Sequence, residues 1–416
     1  MIHYSRTKLD NKLSQHVSTV FGRSFLAVLI LVADAFAWYT LIFLLMTQTI
    51  GELNLPNIET LAIFSLFYVG VASSALLNPI VAKRFKTRES FLLIWTFIGV
   101  WATISLLFMR VSMPSSALAI AFFVGFSTGI GLPSCLAYFA DHVKVENRGK
   151  MGGIAWIIAG IGTLLLATLS LTANATAEIL MLTGLRAAGL LFFLFKPKDV
   201  PSVSRTDSSY SSILTDSRIF LYLIPWVMFC LINWVESPIV ENLFGKEFFN
   251  FVTLVEFAVS GLFAFLGGLL SDLVGRKRII ITGFVMLGIE YAVLSFMQEL
   301  MISRYIYILL DGISWGMFAV VFFIVLWGDL GGSGMKEKYY IVGGLPYLLA
   351  TFLQVLIRQY VESIPASAAF SLASFFLFLA VLPLMYALET LPEKRIKERE
   401  HKGYIEKAKK TKEKYT

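Results

Sequence analysis

The chain is short of the residues on which most metal and redox chemistry depends. Only two cysteines occur in 416 residues, Cys135 and Cys230, both inside apolar runs in different halves. That pattern excludes a disulfide framework and a cysteine metal cluster. The four histidines, His3, His16, His142 and His401, fall in tails or connecting turns. Zinc-type chemistry therefore has no ligands, and neither metal nor cofactor is expected. Charge is scarce as well: Asp, Glu, Lys and Arg make up 15% of the chain, while 57% is hydrophobic. With a mean hydropathy of +0.74, a water-soluble domain of this length could not bury its apolar surface. Also missing are the period-two pieces of about ten residues that transmembrane strands require. Present instead are apolar runs of about 20 residues or more, the length of a bilayer-crossing helix.

Twelve such segments are marked by polar turns: 24–47, 59–82, 90–109, 116–139, 151–172, 176–195, 218–243, 250–271, 279–298, 303–327, 340–361 and 366–388. Their connections differ sharply in charge. Thirty of the 35 Lys and Arg fall in the N-terminus, the turns after even-numbered segments and the C-terminal tail. By the positive-inside rule both termini are cytoplasmic, and the +7 net charge is topology rather than a nucleic-acid footprint. The first 23 residues are polar and basic, with no small-residue cleavage site after the next apolar run, so no removable leader is expected.

The expected organisation is a cytoplasmic N-terminus over 1–23, a six-helix bundle over 24–195, a Ser-, Asp- and Pro-bearing cytoplasmic linker over 196–217, a second six-helix bundle over 218–388, and a basic cytoplasmic tail over 389–416. The fold class is thus an all-α polytopic membrane protein. The two halves also resemble each other. Gly125-Phe-Ser127-Thr-Gly129 followed by Asp141 is answered by Gly312-Ile-Ser314-Trp-Gly316 followed by Asp329, and Gly152-Gly153 by Gly343-Gly344. Repeats running in the same direction imply bundles related by a pseudo-twofold axis, with a substrate site at the midplane between them.

Gly268-x-x-x-Asp272-x-x-Gly275-Arg276-Lys277-Arg278, between the eighth and ninth segments, resembles the signature of the major facilitator superfamily. Glu146-Asn147-Arg148-Gly149 followed by Gly152 is similar to that superfamily's turn between helices 4 and 5. The resemblance implies the twelve-helix fold and transport by alternating access, and it is nearly silent on substrate. One departure stands out. The turn after the second segment, Asn78-Pro79-Ile80-Val81-Ala82-Lys83-Arg84-Phe85-Lys86, keeps the bases and loses the glycines and the aspartate. Physically, Gly275 permits a positive backbone dihedral, Gly268 lets a neighbouring helix approach, and the bases, Arg276 among them, orient the turn. The resemblance implies that the aspartate of this motif engages the opposite half, the copy after helix 2 reaching the start of helix 11. Symmetry sends Asp272 to the start of helix 5, where a helix N-terminus favours an anion and Arg148 could add to it. This gives a cytoplasmic latch between the halves, expected to be one-sided; the alternative is that these charges only set topology.

Ionisable groups at bilayer depth are costly, so each is a candidate for function. Asp34, Glu236, Glu256, Glu290 and Asp311 are set against one base, Arg186, an excess that favours protons or cationic groups over anions. The resemblance implies that helices 1, 4, 7 and 10 line the cavity, which ranks Asp34, Glu236 and Asp311 above the rest. Helical spacing groups Asp34 with Trp38, Asn233 with Glu236, and Asp311 with Trp315 as a substrate- and proton-binding lining. An ion pair between Asp34 and Arg186, locking helices 1 and 6, is the alternative role for Asp34. Glu290 is expected to be structural or protonated, and Asp311 to bind the proton.

The resulting expectation is a monomeric secondary transporter in the plasma membrane, not an enzyme, since no nucleophile, base and orienting group can be assembled. Its partners would be a small organic molecule, protons and the lipid bilayer, with no nucleic acid. Efflux of a neutral or cationic compound is favoured. Proton-coupled uptake of a neutral metabolite such as a sugar, and a transporter-like sensor or scaffold, are the alternatives.

Overall fold

The computed structural model describes residues 23–109, 114–170, 174–195, 208–332, 334–361 and 363–392. The N-terminal tail, most of the expected linker and the basic tail beyond residue 392 lie outside these residues. Within them the chain forms a succession of long helices. The first half comprises α1 (Arg23–Glu52), α2 (Asn57–Ala82), α3 (Arg88–Met109), α4 (Pro114–His142), α5 (Arg148–Ser170) and α6 (Ala175–Ala188), the last carried on by a 3-10 turn, Gly189–Leu191, to Phe195. The second half comprises α7 (Ser217–Phe244), α8 (Lys246–Val274), α9 (Arg276–Met297), α10 (Met301–Phe318), α11 (Lys336–Val361) and α12 (Ala366–Leu379). All twelve apolar segments marked in the sequence are helical in the described residues, and ten of the described helices are long and apolar enough to cross a membrane. Within the expected linker, a short helix, Tyr210–Leu214, is capped by the Ser209 side chain and buries Ile213.

The two halves are assembled alike because their close contacts are encoded alike. α2 packs on α4 and α8 on α10, while α3 pairs with α6 and α9 with α12. The first of these contacts leaves no room for side chains: a Cβ at Gly129 would come within 2.2 Å of the Val71 carbonyl oxygen, and one at Gly316 within 2.6 Å of that of Ser260. Backbone approach of this kind lets dispersion and packing hold helices together where lipid offers no hydrophobic drive. Across the middle, α5 meets α8 and the end of α10, while α11 meets α2 and α4.

α10 is not a uniform helix. Ala319–Val325 is wound as a π-helix before the chain resumes as α-helix over Leu326–Leu330. The widened turn turns two aromatic rings, Phe322 and Phe323, toward the interior, and the Ile324 carbonyl accepts a hydrogen bond from the Tyr340 hydroxyl at 2.5 Å. Single π segments of this sort concentrate at functional sites.

Candidate functional site

A cavity of about 550 Å³ lies between the halves, lined by α1, α2, α4 and α5 on one side and by α7, α8, α10 and α11 on the other. Its floor is aromatic and built from both halves. Trp156 of α5 stacks on Phe323 with ring centroids 6.1 Å apart, Phe36 of α1 meets Trp156 edge-on at 5.0 Å, and Tyr347 of α11 meets Phe323 at 5.0 Å. Trp226 backs this layer, stacked on Phe322 at 4.5 Å and donating its indole N–H to the Gly343 carbonyl at 2.7 Å. Nothing in the sequence pattern singled these rings out, because an aromatic in an apolar helix carries no mark of the face it will occupy.

Acidity is confined to the second half. Glu256 of α8 and Asp311 of α10 both line the cavity, close enough to act on each other electrostatically. Two neighbouring carboxyls in a buried wall repel each other when both are ionised, which favours a proton held between them. Asp311 is 3% exposed, and its Oδ1 has no hydrogen-bond partner among the described residues. One helical turn along α10, Trp315 donates its indole N–H to Asn233 Oδ1 of α7 at 3.1 Å, and both residues line the cavity. Asn233, Asp311 and Trp315, expected together from the sequence, therefore share one wall. Glu256, which the sequence ranks below Asp311, is placed there too. The described lining contains one cation, Arg358, paired with Glu241 at 2.6 Å near the end opposite the basic turns.

Three other expected lining residues are elsewhere. Asp34 and Trp38 point away from the cavity, which α1 lines instead with Phe36, Tyr39 and Thr40. Asp34 is ion-paired with Arg186 of α6, whose guanidinium lies between the rings of Trp38 and Trp95 at 4.3 and 4.2 Å. Trp38 donates to the Thr103 hydroxyl at 2.9 Å. The physical reason is the guanidinium itself: a fully buried base on α6 needs its counter-ion and its π-faces nearby, and α1 supplies both from the face that packs inside the first half. Glu236 is buried but does not line the cavity; the neighbouring α7 residues Asn233, Trp234 and Ser237 do. Glu290 of α9 is fully buried, with neither carboxyl oxygen bonded among the described residues.

At the basic end the halves are joined by charge. Asp272, in the last turn of α8, accepts from the backbone N–H of Gly149 at 2.9 Å and of Lys150 at 2.7 Å, at the start of α5. Gly268 allows that approach, since a Cβ there would fall 2.2 Å from the Gly149 carbonyl oxygen, and Gly275 turns the chain with a φ of +107°. Arg276 donates to Asp272 at 2.7 Å, to the Val145 carbonyl at 2.6 Å, and to Asp329 at 3.2 Å. Arg148 does not join Asp272 as expected. Its guanidinium pairs with Asp329 at 2.5 Å and also donates to the Ala140 and Val143 carbonyls, because α5 begins beside the open C-terminal end of α4. Charges also cross at a second place: Lys336 of α11 meets Asp141 at 2.5 Å, and Glu337 meets Arg88. The latch expected to be one-sided is therefore accompanied by a second set of contacts. The C-terminal segment lies against this end, with Glu389 accepting from the backbone N–H groups of Arg276 and Lys277 at 2.8 and 3.1 Å.

Two halves of long helices packed face to face around one central cavity are the arrangement that the resemblance to the major facilitator superfamily leads one to expect. Among solved structures, the human organic anion transporter MFSD10 (TETRAN) aligns with 87% of this chain and 99% of its own, at a TM-score of 0.60 and 13% identity. The likeness shows that the chain shares the all-helical fold of that structure. No family model and no curated protein sequence matches the chain.

Proposed function

We propose that the protein is a secondary active transporter that moves a small organic solute, neutral or cationic, by alternating access coupled to protons. The observation that carries this reading is the Glu256–Asp311 carboxyl pair in the wall of an aromatic cavity shared by the two halves. A shared proton is the group such a pair would exchange during transport, and aromatic faces suit flat or cationic solutes. Asn233 and Trp315 would orient the solute. MFSD10 is described as an organic anion transporter, but the cation in the described lining here is already paired and the carboxyls beside it would repel an anion. The charge pairs that join the halves at the basic end support a state closed at that end. The excess of basic residues at that end supports cytoplasmic termini in the plasma membrane. Export is the favoured direction, by a monomer. The Asn233–Trp315 pair, an amide beside an aromatic face, also suits uptake of a neutral metabolite such as a sugar.

Flux in proteoliposomes under an imposed pH gradient tests the reading. Asp311→Asn should abolish gradient-driven accumulation while leaving solute exchange, as should Glu256→Gln. Accumulation of the solute by Asp311→Asn at the parental rate would refute proton coupling there, and a solute that binds without ever crossing would point to a sensor.

A further inference from the structure

The charged end repeats itself more closely than the motif in the sequence does. At one spacing of 188 residues, Asp141 answers Asp329, Arg148 answers Lys336 and Arg88 answers Arg276. Each aspartate joins one base of its own half to one of the other: Asp141 holds Arg88 at 2.6 Å and Lys336 at 2.5 Å, while Asp329 holds Arg276 at 3.2 Å and Arg148 at 2.5 Å. One further acid belongs to each cluster, and here the halves differ. Arg276 binds Asp272, which crosses from α8 to the start of α5. On the other side the turn after α2 has no aspartate, and at the same spacing Asp272 is answered by Arg84. Arg88 nevertheless holds a crossing carboxylate, that of Glu337, in the first turn of α11. At that spacing Glu337 answers Gly149, the residue whose N–H receives Asp272. The acid has changed sides of the interface, and the bridge has been kept.

We infer that Glu337 supplies from α11 the bridging carboxylate that the α2–α3 turn lacks, so that the basic end is closed by two charge clusters rather than by a single latch at Asp272. The side chains of Glu337 and Arg88 are 3% and 10% exposed, so neither is hydrated while the contact lasts. Separation of α11 from the α2–α3 turn would return both to water, which makes the pair a contact of the closed state. Position adds to pairing, since an anion in the first turn of a helix is favoured by the helix dipole. A Cβ at Gly149 would lie 2.3 Å from Ser271 Oγ and 2.2 Å from the Gly268 carbonyl, so the α5–α8 contact cannot accommodate an acid where α11 carries one.

The inference rests on the alternating-access reading above. Its test is labelling of a Leu136→Cys reporter in the cavity wall by a membrane-impermeant maleimide, in vesicles exposing either face; Cys135 and Cys230 are fully buried. Ala75→Cys, also in the wall, serves if the first reporter does not fold. Glu337→Gln and Asp272→Asn should each speed labelling from the basic face about fivefold or more and slow it from the opposite face, and the double variant should exceed either. Labelling of Glu337→Gln at the parental rate while Asp272→Asn accelerates would overturn the role of Glu337 alone. Faster labelling of Glu337→Gln from both faces would reduce it to general packing. Parental rates in both variants would remove the charged gate, and this inference with it.

Discussion

Neutralising Asp34 should damage the fold of the first half and leave the transport chemistry in place. The Arg186 side chain is fully buried and that of Asp34 is 6% exposed, so Asp34→Asn leaves a guanidinium in the interior with its counter-ion gone. Breaking a buried pair in this way costs about 3–5 kcal/mol. The flanking Trp38 and Trp95 rings remain, but Nε and Nη2 of Arg186 already lack hydrogen-bond partners among the described residues, so no other acceptor is at hand. An unfolding entropy of about 2.1 cal/mol/K per residue makes each kcal/mol about 1 °C in Tm for a chain of this length, a fall of about 3–5 °C. Thermal unfolding in detergent, followed by tryptophan fluorescence, reads it. Replacing both partners, Asp34→Leu with Arg186→Met, should recover most of the loss, because apolar groups of similar volume pay no desolvation cost. An Asp34→Asn protein with parental Tm and no flux would refute the reasoning and return Asp34 to the transport site.

Four further substitutions, one of them a control, probe other contacts. Gly149→Ala puts a methyl group against the Gly268 carbonyl and Ser271; it should cost about 1–3 kcal/mol by thermal unfolding, whereas Gly162→Ala, with nothing within 4 Å of its Cβ, should be silent. Glu389→Ala removes the acceptor for the Arg276 and Lys277 amides at the start of α9 and should lower stability by about 1 kcal/mol in the same assay. Asn233→Ala breaks the hydrogen bond to Trp315 and should raise KM for the solute more than it lowers kcat, as measured by flux at varied concentration.

The helices were legible because a bilayer imposes a length and a polarity on every crossing segment, and those are properties of contiguous residues. The place of Asp311, Trp315 and Asn233 in the cavity wall was also legible, since polar groups in apolar helices are few and helical spacing places neighbours on one face. Asp34 shows where that reasoning stopped. Its depth was readable, but the face of α1 it occupies depended on Arg186, which lies 152 residues away and on another helix. Glu236 failed similarly: three residues separate it from Asn233, yet the cavity takes Ser237 from α7 instead.

By itself the sequence determined the helical membrane class, the position of the polar turns and the existence of a repeat, all carried by local hydropathy and spacing. Tertiary structure decided which carboxylates meet the cavity, which meet a guanidinium and how the basic end is closed. Glu337 illustrates the division. In sequence it is one acid among lysines after a glycine-rich turn, and only packing of α11 against the α2–α3 turn brings it to Arg88, because partner choice for a buried charge depends on what the fold places within a few ångströms of it.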